Sequence, residues 1–168
     1  MKIIEIFDGN YSKDKAYDFT RYAVRAVIIN NGKLFVEYAS TPKMVMLPGG
    51  GVENGESNDE CVIRECKEEC GLVVEPIKEL FAIREYYHDV VFFSTYTLCR
   101  IVGECEKSYT DNEISLNLVC KWQDCEEIIR QIKALMKEYE DGDEELYGCH
   151  YREYLALNEI ASIYKDII

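Results

Sequence analysis

The chain has 168 residues, of which 48% are hydrophobic, and a formal net charge of -13 at pH 7. That length suits one domain with a full core, spanning residues 1–168, and is too short for two. The negative charge, with no long run of Lys or Arg, argues against a nucleic-acid-binding surface. An anionic substrate would therefore need a metal ion in order to approach the protein.

The hydropathy pattern and the amino terminus predict a cytoplasmic protein. No apolar run reaches the length of a membrane span. The opening Met-Lys-Ile-Ile-Glu-Ile has an acidic residue inside it and no cleavage-like small residues, unlike a signal peptide. We expect a small-molecule ligand and neither a membrane nor a nucleic-acid partner, with a homodimer left open.

Eight cysteines are distributed from Cys61 to Cys149. Without an export signal they are expected to be free thiols, not disulfides. Zinc is the alternative, but the chain has no Cys-x-x-Cys pair and only His88 and His150 could supply imidazole, so ligand spacing disfavours it. The aspartate-rich stretch from Tyr139 to Glu145 lacks the EF-hand spacing and is predicted to be a solvated loop.

The first third of the chain is predicted to be mostly strand. β-Branched and aromatic runs indicate strands at Lys2 to Phe7, Arg21 to Ile29, Lys33 to Tyr38 and Met44 to Leu47. Asn30-Asn31-Gly32 is a strong hairpin signal between the second and third of these. The segment from Asp14 to Thr20 is an ambiguous polar connector, and Ala39 to Lys43 is a loop.

A glycine run then leads into a helix. Gly49, Gly50 and Gly51 break regular structure, and Ser57 with Glu60 three residues later forms a capping-box pattern. Gly71, followed by β-rich residues, is a helix stop. The predicted helix runs from about Asn58 to Cys70.

The rest of the chain is predicted to return to strands and end in helices. Extended segments are expected at Val73 to Val74, Ile77 to Arg84, Val90 to Val102 and Ile114 to Trp122. Pro76 is expected to break the first two apart. Helices are expected at Cys125 to Tyr139 and Tyr151 to Ile167. This order of elements predicts an α/β fold with a mixed sheet sandwiched between helices.

The central helix carries a cluster of carboxylates. Glu65, Glu68 and Glu69 stand at i, i+3 and i+4, on one face, in the half of the helix where its dipole is negative. A divalent cation with oxygen ligands suits such a cluster, and Mg²⁺ would also recruit substrate phosphates. The alternative is a solvated acidic face. A separate apolar stripe anchors the helix to a core and comprises Val62, Ile63, Cys66 and Cys70.

The spacing decides between these interpretations. Gly50, five residues, Glu56, seven residues and the run Arg64-Glu65-Cys66-Lys67-Glu68-Glu69-Cys70-Gly71-Leu72 closely resemble the Nudix box. Cys66 departs from the pattern, which has an aliphatic residue there, but a buried cysteine behaves as a small hydrophobe. The resemblance covers the box; outside it, the likeness is mainly in the order of elements.

The resemblance implies a Nudix-type α/β/α sandwich and a set of metal ligands. By family pattern, Glu68 and Glu69 are the principal ligands of Mg²⁺, or of Mn²⁺, and Glu65 is a ligand or the base. The carbonyl of Gly49 is a further ligand, while Arg64 and Glu56 pair to hold the loop against the helix. A further carboxylate often precedes the next-to-last strand; Glu113 matches best, with Glu104 and Glu106 as rivals.

Four more positions are candidates for substrate contact. Arg25 and Arg84 lie in otherwise apolar strands, where either phosphate binding or a simple ion pair would explain an arginine. Within Tyr86-Tyr87-His88, Tyr87 could stack on a base, but core or rim positions are the alternative. His88 is a conceivable base by its ordinary pKa alone. Trp122 is predicted to be in the core.

The implied activity is Mg²⁺-dependent hydrolysis of a pyrophosphate bond in a nucleoside diphosphate linked to another group. House-cleaning of oxidised nucleoside triphosphates and a nucleotide-sensing module without activity are alternatives. The proline that marks ADP-ribose hydrolases beyond the box is absent, as is the coenzyme A signature. Tyr86 or Tyr87 weakly resembles the mark of dinucleoside polyphosphate hydrolases, so the substrate stays open.

Overall fold

A computed structural model of the chain describes residues 1–7, 16–108 and 117–165. Its strands are β1 Lys2–Phe7, β2 Phe19–Asn30, β3 Lys33–Ser40, β4 Lys43–Met46, β5 Leu72–Tyr87, β6 Val90–Glu104 and β7 Val119–Asp124. Its helices are α1 Asn58–Glu65, which continues as a π turn over Cys66–Cys70, then α2 Cys125–Tyr139 and α3 Glu144–Ile163. None of the helices in these ranges has the length and hydropathy needed to cross a bilayer.

Within the described ranges, seven strands form one mixed sheet. The order is β1-β5-β6-β2-β3-β4, with β7 paired to β3. Strand β1 runs parallel to β5 and β2 parallel to β6, while the β5/β6, β2/β3, β3/β4 and β3/β7 pairs are antiparallel. The predicted mixed sheet is therefore confirmed.

The β2–β3 hairpin forms where the sequence predicts it. Asn31 and Gly32 have φ angles of 49° and 75°, both in the left-handed region that a two-residue hairpin turn requires. Ile29 then pairs with Leu34, and Asn30 with Lys33. Beyond those two pairs β2 separates from β3 and keeps its pairing with β6, which leaves its free edge to the glycine run.

Two hydrophobic cores lie on opposite faces of the sheet, because alternate residues of β2 point to opposite sides. Val24, Ala26 and Ile28 pack with α1 and the π turn, whereas Val27 packs with α2 and α3. Helices thus cover both faces. This is the α/β/α sandwich that the sequence predicts, and α1 is held by buried Val62, Cys66 and Cys70 as expected.

Two predicted boundaries are wrong. Pro76 does not break the strand: β5 is continuous because a register shift between Pro76 and Lys78 leaves Ile77 as an extra residue, exposed and unpaired with β6. The last helix begins at Glu144, seven positions before the predicted start, because Asp143 caps it and accepts from the Leu146 N–H. The helix predicted from Asn58 to Cys70 does end at Cys70, before Gly71, but its last five residues form a π turn.

Trp122 is not in the core, contrary to prediction. It lies on β7 with 37% of its surface exposed and packs its edge on Phe35, with ring centroids 5.0 Å apart. The residues of β7 are exposed or half-buried, so the Trp122 indole packs against the paired strand β3 at the surface of the protein. Of the strand predicted at Ile114 to Trp122, residues 114–116 lie outside the described residues. Asn117 lies in a turn with a φ of 48°, so the strand begins only at Val119.

Candidate active site

The glycine run is fastened along the free edge of β2. The N–H groups of Val24 and Ala26 donate to the carbonyls of Gly50 and Pro48 at 3.0 and 2.7 Å. Gly49 has a φ of +135°, and a Cβ there would lie 2.1 Å from the carbonyl oxygen of Val24. Only glycine fits this position, because both its backbone conformation and the space beside it exclude a side chain.

Arg64 ties this loop to helix α1. Its Nε and Nη2 donate to the two carboxylate oxygens of Glu56 at 2.8 and 2.9 Å, and Nη2 also donates to the carbonyl of Gly51 at 3.0 Å. The hydrogen bonds from Arg64 lower the pKa of Glu56 to about 2. The predicted pairing of Arg64 with Glu56 is confirmed, and its bidentate geometry fixes the loop as well as neutralising charge.

The three box glutamates lie at the junction of α1 and the π turn. Glu65 and Glu69 are buried, with 7% and 8% exposure, while Glu68 is partly open to solvent. Oε2 of Glu69 accepts from the Gly49 N–H at 3.0 Å. Nη1 of Arg64 donates to Glu65 at 2.8 Å and reaches Glu68 at 3.3 Å. A π turn at this point is typical of functional sites in helices.

Burial disfavours the ionised forms of these acids in the metal-free protein. Desolvation raises the pKa of Glu65. It also raises the pKa of Glu69, with the charge of Glu37 as the next largest cause. Buried carboxylates held in this way gain most from a cation that binds to them directly.

The donor set fits a hard divalent cation. Among the described residues, the side-chain atoms that this face offers to a metal are carboxylate oxygens, which are the ligands that Mg²⁺ prefers. The loop lies directly against the face, since a Cβ on Gly50 would be 2.3 Å from Oε1 of Glu65. The backbone at Gly49 and Gly50 can therefore approach a cation held by Glu65 and Glu69.

Arg25 engages the loop carbonyls. Its Nη1 donates to the carbonyl of Gly49 at 2.5 Å and to that of Leu47 at 3.2 Å, whereas its buried Nε has no hydrogen-bond partner among the described residues. The Gly49 carbonyl, which the family pattern makes a metal ligand, is thus bound to a guanidinium in this structure. Arg25 also lines the cavity beside the loop.

That cavity, which we call the arginine cavity, has a volume of about 210 Å³ and opens beside Gly50 and Gly51. Three arginines reach it: Arg21 and Arg25 from β2, and Arg152 from α3. Arg152 is held by Glu85 at 3.0 Å and Glu153 at 3.5 Å. The lining sets these three arginines against three acids, Glu85, Glu144 and Glu145, and adds the aromatic rings of Tyr87 and Phe92.

A second cavity of about 160 Å³ adjoins the first, and we call it the aromatic cavity. The two share lining residues, among them Glu85, Tyr87 and Gly148. Its other walls are mainly aromatic and apolar, and include Ile6, Phe7, Tyr86, Tyr147 and Tyr151. Tyr87 therefore lies at the boundary between the compartment that contains the arginines and the aromatic one.

Other candidates lie elsewhere. Arg84 does not line the arginine cavity; it pairs with Glu5 at 3.6 Å and lies over the ring of Phe93, as the ion-pair interpretation expects. Tyr86 is buried and stacks on Phe7, as a core residue does. His88 occupies the turn between β5 and β6, with a φ of 48°.

The structure describes two of the three acids, at or after the end of β6, that the sequence offers as a further metal ligand. Glu113, the favoured candidate, lies outside the described residues. Of its rivals, Glu104 ends β6 opposite Leu72, and Glu106 is exposed. The segment after β6 does approach the site, because the Ser108 N–H donates to the carbonyl of Glu68 at 3.0 Å.

Sequence reasoning missed Arg21, Arg152 and Glu37. Arg21 lies early in a strand and resembles any exposed arginine, but it shares the alternation of Arg25, which places both on one side of β2. Arg152 reaches the cavity only because α3 packs across the sheet. Glu37 is the single acid in the apolar run of β3 and is fully buried, a signal that could have been noticed.

Comparison with known proteins supports the same family. The profile of the NUDIX domain matches residues 19–147. A curated relative, YjhB of Bacillus subtilis, carries the provisional name ADP-ribose pyrophosphatase and is 29% identical over 87 residues, which are 52% of this chain and 42% of that protein. The chain thus spans less than half the length of this relative.

Solved structures agree in fold. A NUDIX hydrolase from Nitrosomonas europaea superposes with a TM-score of 0.59 at 20% identity, over 82% of this chain and 89% of that one. A MutT NUDIX hydrolase from Burkholderia pseudomallei gives a TM-score of 0.52 at 20% identity, over 64% of this chain and 84% of that one. At this identity the likeness concerns the fold alone.

Proposed function

Because this chain belongs to the NUDIX family, we propose that it hydrolyses a pyrophosphate bond in a nucleoside diphosphate linked to another group. One observation carries the proposal: two buried carboxylates, Glu65 and Glu69, face a glycine loop that opens directly into the arginine cavity. An acidic metal face beside a cavity that offers arginine side chains is the arrangement that a bridging phosphate chain needs.

Glu65, Glu68 and Glu69 would hold Mg²⁺ or Mn²⁺. The Gly49 carbonyl would become a further ligand when Arg25, which donates to it in the metal-free protein, turns to the substrate phosphates. When bound, the cation would neutralise phosphate charge and favour attack by water at phosphorus. Arg64 keeps Glu65 and Glu68 in place through its two contacts. The Gly49 N–H fixes one oxygen of Glu69, so that its other oxygen can face the cation.

The arginine cavity would bind the part of the phosphate chain that the metal does not hold. Arg21 and Arg25 lie four residues apart on the same side of β2 and present guanidinium groups next to Gly50 and Gly51. Guanidinium groups match phosphate oxygens in pairs, whereas an ammonium group would act as a point charge. Arg152 is already paired with Glu85 and Glu153, so these acids neutralise its charge and its side chain mainly forms part of the cavity wall.

The aromatic cavity supports a substrate with a flat or extended group beyond the phosphates. Tyr87 lies where the two cavities meet and offers a ring on which a base can stack. This favours a nucleoside diphosphate derivative over a small phosphate ester. The provisional name of YjhB makes ADP-ribose one compound to test, although the proline that marks ADP-ribose hydrolases is absent here.

The test is a panel of nucleoside diphosphate sugars, dinucleoside polyphosphates and ordinary and oxidised nucleoside triphosphates, assayed with Mg²⁺. The linked compounds, which have no terminal phosphate, are coupled separately to alkaline phosphatase and to inorganic pyrophosphatase. The triphosphates, which alkaline phosphatase attacks by itself, are coupled to pyrophosphatase alone. Cleavage of a linked nucleoside diphosphate yields phosphomonoesters, so phosphate should appear with the phosphatase only. A signal that requires pyrophosphatase would favour the house-cleaning alternative, and no signal from any compound would favour the sensing module.

A further inference from the structure

A second, chemically different cluster lies beside the acidic face. Glu37 on β3 and Cys120 on β7 are directly opposed in the antiparallel pairing, so their side chains lie on the same face of the sheet. Cys70, the last residue of the π turn, packs onto that face. One carboxylate oxygen and the two sulfurs all lie within 4.8 Å of one another.

The separations match those of ligands around one metal ion. Oε1 of Glu37 lies 3.2 Å from Sγ of Cys70 and 3.9 Å from Sγ of Cys120. Tetrahedral zinc, with its usual bond lengths, sets oxygen and sulfur ligands about 3.5 Å apart. The two observed distances bracket that value, so a cation could be accommodated by small rotations of the side chains.

Glu37 also needs a partner that the described residues do not provide. Its side chain has no exposed surface, and Oε2 has no hydrogen-bond partner among the residues that the structure describes. Burial of an acid without full compensation is costly, and a bound cation is one of the few ways to compensate it. The amine of Lys107 comes within 3.5 Å of Cys120 and reaches the cluster from outside.

We propose that Glu37, Cys70 and Cys120 form a binding site for a thiophilic divalent cation of the Zn²⁺ class, distinct from the Mg²⁺ face. Sulfur donors select such metals, while the all-oxygen face selects Mg²⁺. The fourth position is open to water. Cys120 is only half-buried, so the ion enters from its side and displaces the flexible Lys107 side chain.

The site would fasten the metal-binding end of the helix to the sheet. Cys70 follows Glu69 directly, and Sγ of Cys120 lies 3.7 Å from the carbonyl oxygen of Glu69. A cation here joins β3, β7 and the π turn, three segments that are 33 or more positions apart in sequence. That separation is why the spacing of the cysteines along the chain disfavours zinc. The inference does not depend on the proposed hydrolysis.

The test is a titration of chelator-stripped, reduced protein with Co²⁺, in excess Mg²⁺ so that the carboxylate face is occupied. We expect a thiolate-to-cobalt charge-transfer band that saturates at a single equivalent and is abolished by Zn²⁺. Carboxylate ligands alone produce no such band. Zn²⁺ should also raise the melting temperature of the stripped protein, because it binds the folded state.

Variants decide whether this cluster is responsible. Cys120→Ser should weaken Zn²⁺ binding by at least about 100-fold, since even the loss of an outer-shell partner costs 10–100-fold. Cys99→Ser, which changes a buried cysteine outside the cluster, should bind like wild type. If Cys120→Ser does not fold, Glu37→Gln, which preserves shape, should show the weakened binding. The proposal is overturned if the band is absent, or if it persists at full affinity in the folded variants.

Discussion

Gly49 donates its backbone N–H to Oε2 of Glu69 at 3.0 Å, so the loop and the helix of the candidate site are joined at a carboxylate that would itself hold the metal. The bond depends on the position of Gly49 against β2, which no side chain would permit. The position of the glycine loop therefore determines where the Glu69 carboxylate lies, and a change to the loop should also affect metal binding by Glu69.

Gly49→Ala should destabilise the fold and abolish metal binding. The substitution places a Cβ 2.1 Å from the Val24 carbonyl at a φ of +135°. Conformational strain alone costs about 1–3 kcal/mol, and the contact adds to it. The matched control is Gly55→Ala, which also has a positive φ, +85°, but no atom within 4 Å. Thermal melts should show a clearly larger loss for Gly49→Ala; equal losses would contradict the role of the Val24 contact.

The pair of Arg64 and Glu56 should give the protein a stability that depends on acid pH. The native pKa of Glu56 is about 2, below its ordinary value of 4.5. Its contribution is therefore present above pH 4.5 and is lost as the pH falls through 4.5 towards 2. Arg64→Ala should lower the free energy of unfolding at neutral pH by about 2 kcal/mol, the scale of hydrogen bonds to a charged group.

Urea denaturation between neutral and acid pH measures that dependence. Wild type should lose stability across the window, and Arg64→Ala should lose less, because Glu56 would then titrate nearly as in the unfolded chain. Glu56→Gln is the matched variant and should flatten the same part of the curve. Parallel curves for wild type and both variants would mean that the pair does not stabilise the fold.

Arg21 and Arg84 should differ in their effect on substrate binding. Arg21 lines the arginine cavity, whereas Arg84 is paired with Glu5 and lies outside that lining. Arg21→Ala should raise KM about tenfold or more, since hydrogen bonds to charged groups contribute about 1.5–3 kcal/mol. Arg84→Ala should change KM less than about twofold, because its pair is partly exposed. Steady-state kinetics on the best substrate of the panel measures both values, and an unchanged KM for Arg21→Ala would mean that this arginine does not bind phosphate.

The local parts of the site were predictable from sequence, and the long-range parts were not. Ser57 forms the capping box with Glu60, and Arg64 pairs with Glu56. Both contacts lie within one loop and the first two turns of the helix, so the spacing of these residues already determines them. Glu37 and Arg152 reach the site through strand pairing and helix packing, which depend on the whole sheet. The same reason explains Trp122, whose exposure follows from the place of β7 in the sheet and not from its own hydrophobicity.

The prediction that Pro76 ends a strand is wrong, because a sheet can accommodate a proline either by ending the strand or by forming a bulge. Pro76 lacks an N–H and reads as a break, but the sheet accepts it by inserting Ile77 as an extra residue. In α3 an early capping residue, Asp143, outweighed the mixed polarity of the first turns. Both cases concern backbone hydrogen bonding, to which a pattern of apolar residues is insensitive.

The most direct test of the account is the turnover of Glu69→Gln in Mg²⁺, once its fold without metal has been verified by a melt. Because burial raises the pKa of Glu69 above its ordinary 4.5, its ionisation costs the native state stability as the pH rises above that value, so the neutral Gln should be at least as stable without metal. Its amide oxygen can still accept from Gly49. Turnover should fall by about 100-fold or more, the scale of losing one preorganised electrostatic contact. Near wild-type turnover in a folded Glu69→Gln protein would contradict the assignment of the metal face.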